Sequence, residues 1–377
     1  MRFDSTPYYH VGEDYAWETL VDEMREEVRL MDQGGFTGIW LAEHHFAWDG
    51  WYRASPNPIL LGADLVSESD HLRVGQCGTI LPDWNPIRVA EDIALLDQLT
   101  RGRVDFGVAR GINNRATIQF REEADRRNEP VHRALFNETL EVILGAWKGD
   151  ALSYQGEFFT YPAPGWHETN PLGLDPRFHT DDGELKALGV TPRPFQRPHP
   201  PVFNMVESSS SHAYSARKGI GAMCFSISHG RIRDAWRAYN NAASEAAGRD
   251  LPYGQNLAVM RPTYIADTHE QAVADAREGT NLLASWITIE PDKVRKIMVS
   301  EEELEEGDLD LDWFDFQLKH DLILVGSPDS VSEQIERLES ETGCPHLAFF
   351  LNIPLLSFQQ VMHSLDLAAT KVIPRFS

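Results

Sequence analysis

One carboxylate and two imidazoles stand side by side at Glu43, His44 and His45, directly after the apolar run GIWLA. A neutral imidazole can act as a general base or a hydrogen-bond donor, and a neighbouring glutamate can orient it or set its charge. The same residues could instead be structural histidines, or ligands of zinc. Against zinc, HExxH is absent and adjacent side chains of an extended strand point to opposite faces, so no metal is expected. A second cluster, ESSSSH from Glu207 to His212, gathers hydroxyls where a strand gives way to a helix. Hydroxyls and free backbone N–H groups at a helix start suit a phosphate, while capping of the helix by serine is the plainer use. Arg110, in FGVARG, adds a guanidinium whose paired donors match a phosphate.

For these groups to converge, the elements between them must bring strand ends together. Short β-rich runs alternate with amphipathic helical stretches almost throughout, the pattern of parallel βα units. The spacing predicts strands at Arg2 to Thr6, Thr37 to Ala42, Leu72 to Thr79, Val104 to Ala109, Val202 to Val206, Ala222 to Ile227, Ala258 to Ile265 and His346 to Asn352. Helices are expected at Tyr15 to Gln33, Pro58 to Ser67, Pro86 to Leu99, Val131 to Trp147, from the serine run onward, at Arg231 to Ala247, Glu270 to Leu283, Pro328 to Thr342 and Ser357 to Thr370. Eight such units make a single (β/α)8 barrel domain over residues 1–377, with a doubly wound open sheet as the alternative. Two long excursions interrupt it, at about 149–201 and 284–325. The second contains EEELEEGDLDLD, Glu301 to Asp312, readable as a solvated acidic loop or as a mobile lid. In a barrel the chemistry lies at strand C-terminal ends, which is where Glu43 to His45, Cys77 with Gly78, Ala109 with Arg110, and Glu207 fall. A phosphate site there implies a phosphorylated substrate or a cofactor such as FMN.

Composition narrows the partners. A formal net charge of -24 opposes nucleic acid and anionic membranes, which need clustered Lys and Arg. No apolar run reaches the roughly 18 residues of a membrane helix, and the N-terminus lacks a secretory pattern, so a cytoplasmic protein is expected. Cys77, Cys224 and Cys344 are few, odd in number and far apart, as reduced thiols are. Phe46, Trp48, Trp51, Tyr52 and Trp84 could line an apolar substrate pocket, or simply pack.

Three stretches, GFTGIWLAEHHF, TILPDWNPIRVAEDIALLDQLTRGRVDFGVARG and VESSSSHAYSA, resemble in order and spacing the motifs of the bacterial luciferase-like flavin monooxygenases. The resemblance implies a (β/α)8 barrel in which reduced FMN reacts with oxygen to give a flavin 4a-hydroperoxide that oxidises a small organic substrate. It implies His44 as the active-site histidine, with Glu43 and His45 beside it. Arg110, Arg133, Ser208 and Ser211 are similar to the residues that hold the flavin phosphate, with Glu207 and Ala109 adjoining. Cys77 and Gly78 align with a pair whose peptide is cis. Ala109 stands where light-emitting members carry a cysteine, so a non-luminescent enzyme is expected. Many members receive reduced flavin from a separate reductase; GQCGTI lacks the glycine spacing of a nicotinamide fingerprint, and a flavin reductase partner follows. A homodimer through helices Pro58 to Ser67 and Pro86 to Leu99 is also implied. Alternatives are a deazaflavin-dependent dehydrogenase on the same barrel, a non-catalytic flavin-binding partner subunit, and a metal-dependent hydrolase.

Overall fold

The computed structural model of the protein describes residues 1–9, 15–46, 55–112, 114–287 and 290–376. Its strands in chain order are β1 (Arg2–Ser5), β2 (Gly38–Leu41), β3 (Arg73–Gln76), β4 (Thr79–Ile80), β5 (Val104–Ala109), β6 (Tyr154–Gln155), β7 (Thr160–Tyr161), β8 (Val202–Met205), β9 (Gly221–Phe225), β10 (Leu257–Ile265), β11 (Leu324–Gly326) and β12 (His346–Phe350). The chain packs as two compact units, Met1–Cys77 with Val202–Ser377, and Gly78–Pro201.

In the first unit every described pairing is parallel: β3 lies on β2, β2 on β1, β1 on β12, β12 on β10, β10 on β9 and β9 on β8. Strands covered on both faces read as continuous apolar runs, and all nine residues of β10 are buried. One face of these strands carries a common core of Trp40, Phe203, Met223, Ala258, Met260, Ala348 and Phe350. Ala258 with Met260 and Ala348 with Phe350 show the two-residue period that aims a strand's side chains to one side. Trp40 sets the packing: its ring meets Phe203 edge-on at 5.6 Å. A Cβ on Gly75 would stand 2.5 Å from that ring, so only glycine fits there.

Helices cover the other face. Trp17–Gln33 buries Leu20, Met24, Val28 and Met31 at helical spacing, and ends at Gly34 before Gly35 turns the chain at φ 82°. At the opposite end from the strand termini that concern function, Asp4 is fully buried and ties three elements together. It accepts from Arg2 Nη2 at 2.8 Å and Trp40 Nε1 at 2.7 Å, and His346 Nε2 lies 2.7 Å away. Burial alone would raise its pKa, but His346 and Arg2 outweigh that and hold the carboxyl well below the carboxylate range.

The second excursion contains helices Pro291–Met298 and Trp313–Lys319 and leads into the short strand β11 on β10. Its acidic run is not uniformly solvated. Glu303 accepts from Gly230 N at 2.8 Å and from the Ser228 hydroxyl, closing the start of helix His229–Ala247. Asp308, 2 % exposed, takes Lys319 at 2.5 Å and pairs with His320 at 2.9 Å. Asp312 caps the next helix through Asp315 N at 2.8 Å and binds Arg277 at 2.7 Å. Every few residues a carboxylate is fixed by a partner, Glu305 among them through Lys319 Nζ at 2.7 Å, while Glu301, Glu302 and Glu306 face solvent.

The second unit holds β4 parallel to β5, with helices Pro86–Leu99 and Glu129–Lys148. Asn85 caps the first of these, ahead of Pro86 at a position where proline's missing N–H costs nothing. Trp147 joins the helices, donating to Ala90 O at 3.0 Å and meeting Phe106 edge-on at 5.6 Å. The predicted strand Leu72 to Thr79 is broken after Gln76, which separates β3 from β4. Residues beyond 149 are pinned rather than loose: Glu138 accepts from the amides of Glu157, Phe158 and Phe159 at 2.9, 3.0 and 2.8 Å, fixing the β6–β7 hairpin. Among the described residues no helix is long and apolar enough to cross a membrane.

Candidate active site

β2 ends at Leu41, and the next residues leave the sheet at its C-terminal end. Glu43 is buried, 3 % exposed, and its Oε1 lies 2.7 Å from His45 Nε2. Residues two apart in extended chain share a side, so Glu43 and His45 pair while His44 projects the other way. The His44 amide bonds to Ser55 O at 2.9 Å, which fixes where the ring leaves the chain. Burial lowers the His44 pKa to about 4, with the charge of His45 adding to it, so the ring is neutral at pH 7. A neutral imidazole keeps one N–H donor and one lone pair, the form that can accept a proton. Phe46 follows with φ 65° and 55 % exposed, a backbone conformation that aromatic residues rarely take. Trp48, Trp51 and Tyr52 lie outside the described residues.

The ends of β3, β8, β9 and β12 place Cys77, Met205, Phe225 and Phe350 as an apolar layer on the core below. Burial pushes the Cys77 thiol up to about 12, so it is neutral and inert as a nucleophile. Among the described residues the cis peptides precede Pro162, Pro192 and Pro198, and Cys77–Gly78 is not one of them. This corrects the expectation drawn from the resemblance; a cis bond before a residue other than proline costs about 3 kcal/mol, and the chain takes the trans form.

Ser208 caps the helix Ser209–Arg217, its Oγ accepting from Ser211 N at 3.2 Å and lying 2.9 Å from Ser211 Oγ. The capping use of the serine run is therefore real, and it leaves the exposed hydroxyls grouped at the start of a nine-residue helix. Glu207 stands exposed just before it. His212, one turn in, is fully buried and points Nδ1 at Ser208 O, 3.0 Å away.

In the second unit Ala109 closes β5 and Arg110 follows it. Arg110 Nη1 reaches Glu129 Oε1 at 2.9 Å, and Arg133 Nη2 lies 3.5 Å from Glu129 Oε2. Helical spacing of four residues brings Glu129 and Arg133 onto one face. Arg126, which sequence reasoning missed, joins them: it donates to Gly111 O, and its pKa is lowered by burial and then by Arg110. His132, also missed, is 1 % exposed with Nε2 lacking a hydrogen-bond partner, and burial followed by Arg126 and Arg110 brings its pKa to about 4. The signal was present in DRRNEPVHR, but Arg126 sits in a turn where no periodicity singles it out. Two guanidinium groups thus share the Glu129 carboxylate, and a third, Arg126, lies near enough to Arg110 for their charges to repel. The surplus of positive charge and of unspent donors fits a phosphate. Trp84, half-buried, lies at the start of the same unit.

A family model described as luciferase-like monooxygenase matches residues 1–344. The oxygenase component of a flavin-dependent trigonelline monooxygenase from Acinetobacter baylyi is 24 % identical over 374 residues, 97 % of this chain and 93 % of that protein. Among solved structures, the monooxygenase RslO1 from Streptomyces bottropensis superposes with a TM-score of 0.78 at 21 % identity over 100 % of both chains. The oxygenating constituent of 3,6-diketocamphane monooxygenase from Pseudomonas putida, a type II Baeyer–Villiger enzyme in complex with FMN, gives 0.74 at 21 % identity over 100 % of this chain and 98 % of that one. The fold shared with these structures is the (β/α)8 barrel.

Proposed function

Because this chain belongs to the luciferase-like monooxygenase family, we propose that it is a non-luminescent oxygenase that uses reduced FMN and dioxygen to oxidise a small apolar or aromatic organic substrate. One observation carries the cofactor assignment: Arg110 and Arg133 converge on the single carboxylate of Glu129, with Arg126 close enough to Arg110 for their charges to repel, and such a surplus of guanidinium is how a site for a phosphate monoester is charged. Ser208 and Ser211, at a helix start, offer the second set of phosphate-directed donors. Bound reduced FMN would supply the electrons that activate dioxygen.

The remaining chemistry falls to this chain's own groups. Neutral His44 takes up or returns a proton at the ring nitrogen that bears the lone pair, a role worth about 100- to 10,000-fold in rate. Glu43 holds His45 in one orientation through the 2.7 Å contact. The layer of Cys77, Met205, Phe225 and Phe350 keeps water from the strand ends and offers an apolar surface to the substrate. Ala109 leaves no thiol beside the cofactor, in keeping with oxidation without light. Reduced flavin comes from a separate reductase. The exposed Leu60, Leu95 and Leu99 on helices Pro58–Leu65 and Pro86–Leu99 support a homodimer.

The test is anaerobic titration with reduced FMN, then rapid mixing with oxygen-18 gas and mass analysis of the product. One labelled oxygen in the product establishes monooxygenation. Absence of FMN binding together with binding of a deazaflavin, and hydride transfer without oxygen, establishes the dehydrogenase instead.

A further inference from the structure

We propose that Tyr9 is a further ligand-binding residue of this site, its phenol donating a hydrogen bond to an oxygen acceptor on a neutral organic molecule held at the C-terminal strand ends. The inference rests on the reading of His44 and its surroundings as the reacting site.

Ser5 pairs with Ile39 of β2 and with Phe349 of β12, so the chain four residues later arrives level with Glu43. There Tyr9 is 4 % exposed; the Ala42 main-chain N–H is directed at its oxygen, and among the described residues no acceptor takes the phenol's own proton. The Cys77 thiol and the Ala42 main chain are its polar neighbours, which places the phenol between the ends of β2 and β3. Burial above all, then Cys77, raises its pKa, so the phenol stays protonated and a donor.

Tyr8 makes the contrast. Its hydroxyl, equally buried, donates to Leu356 O at 2.9 Å. The segment that carries both is held by buried polar side chains on either side. The Tyr8 amide donates to Glu27 Oε2 at 2.9 Å and the Tyr9 amide to Asn352 Oδ1 at 2.5 Å. Asn352 in turn donates to Thr6 Oγ1 at 3.3 Å and Pro7 O at 3.2 Å. A buried hydroxyl whose proton meets no acceptor is unfavourable, and phenylalanine would fill the same space without that cost. A rigidly held donor with nothing to bond is ready for an acceptor that arrives from outside. The layer of Cys77, Met205, Phe225 and Phe350 favours an uncharged body for that molecule, which leaves a carbonyl or ether oxygen as the acceptor.

The experiment measures, in the presence of oxidised FMN, the binding of camphor and of its exocyclic-methylene analogue to wild type and to Tyr9→Phe, with melting temperatures of both proteins. Tyr9→Phe is expected to melt no lower than wild type and to bind camphor five- to thirty-fold more weakly, with its affinity for the methylene analogue unchanged. Equal loss for both ligands, or for neither, overturns the proposal. So does a melting temperature more than about 5 °C lower, which would show the hydroxyl bonded within the protein. If wild type fails to bind camphor the ligand class is wrong, whereas flavin-dependent oxygen uptake by the same preparation scores the oxygenase reading separately.

Discussion

Removing the carboxylate of Glu129 should tighten the phosphate site rather than loosen it. Glu129 occupies donors of Arg110 at 2.9 Å and of Arg133 at 3.5 Å, and puts one negative charge where a dianion must come. A phosphate on the far side of a guanidinium would lie about 7 Å from that carboxylate, and two unit charges at this distance repel by about 0.6 kcal/mol in water. A dianion doubles the figure to about 1.2 kcal/mol, and physiological salt roughly halves it again. Glu129→Gln should therefore bind FMN about two- to five-fold more tightly, and the gain should fade as salt is raised. Arg110→Ala should weaken FMN about ten- to hundred-fold, the loss of a charge-assisted bond worth about 1.5 to 3 kcal/mol. The assay is the ratio of FMN to riboflavin affinity by fluorescence quenching, because riboflavin shares the ring and lacks the phosphate. A ratio that falls in Glu129→Gln, or stays constant in Arg110→Ala, refutes the assignment of this cluster.

His44→Ala should lower the rate of product formation at least about 100-fold with FMN affinity near normal, since the ring serves the reacting end; parallel loss of both in stopped-flow and binding assays would contradict that role. His212 is neutral in the folded protein, with burial bringing its pKa from 6.5 to about 4. The unfolded chain therefore binds the extra proton first, so stability should fall as pH drops from 6.5 towards 4, by up to about 3 kcal/mol for this group. In urea melts the stability gap between wild type and His212→Gln should narrow over that window, and a gap constant with pH would be incompatible with the buried neutral form. Asp4→Asn should cost about 3 to 5 kcal/mol, because Arg2 and His346 lose their shared counter-charge. Its folded fraction should keep full activity in enzyme assays, and an activity loss beyond the unfolded fraction would tie Asp4 to the chemistry.

Sequence periodicity located the helices well, with Pro86–Leu99 and Pro328–Thr342 matching to the residue because proline at the first turn and a defined stop mark both ends. It failed on β11, whose three residues are too short for any period to register. The acidic run misled because charge patterning cannot tell a carboxylate that caps a helix, as Glu303 does, from one that faces water, as Glu302 does. Of the candidate site, Glu43 to His45 and Arg110 were open to proposal from sequence because they follow strand ends. Arg126, His132 and Tyr9 were not, since their meaning lies in burial and in which of their atoms lack partners, and neither is written in residue order.

The knot of contacts at Asp4 also bears on how this protein is made. Its bond to His346 joins residues 342 positions apart, and β1 takes β12 as one of its two neighbours. At a synthesis rate of about 5 to 20 residues per second, β1 waits roughly 20 to 70 s on the ribosome with that edge open. Through that interval a strand edge with unpaired N–H and C=O groups is open to whatever else the cell holds, so a nascent chain of this design should depend on chaperones more than its folded stability suggests.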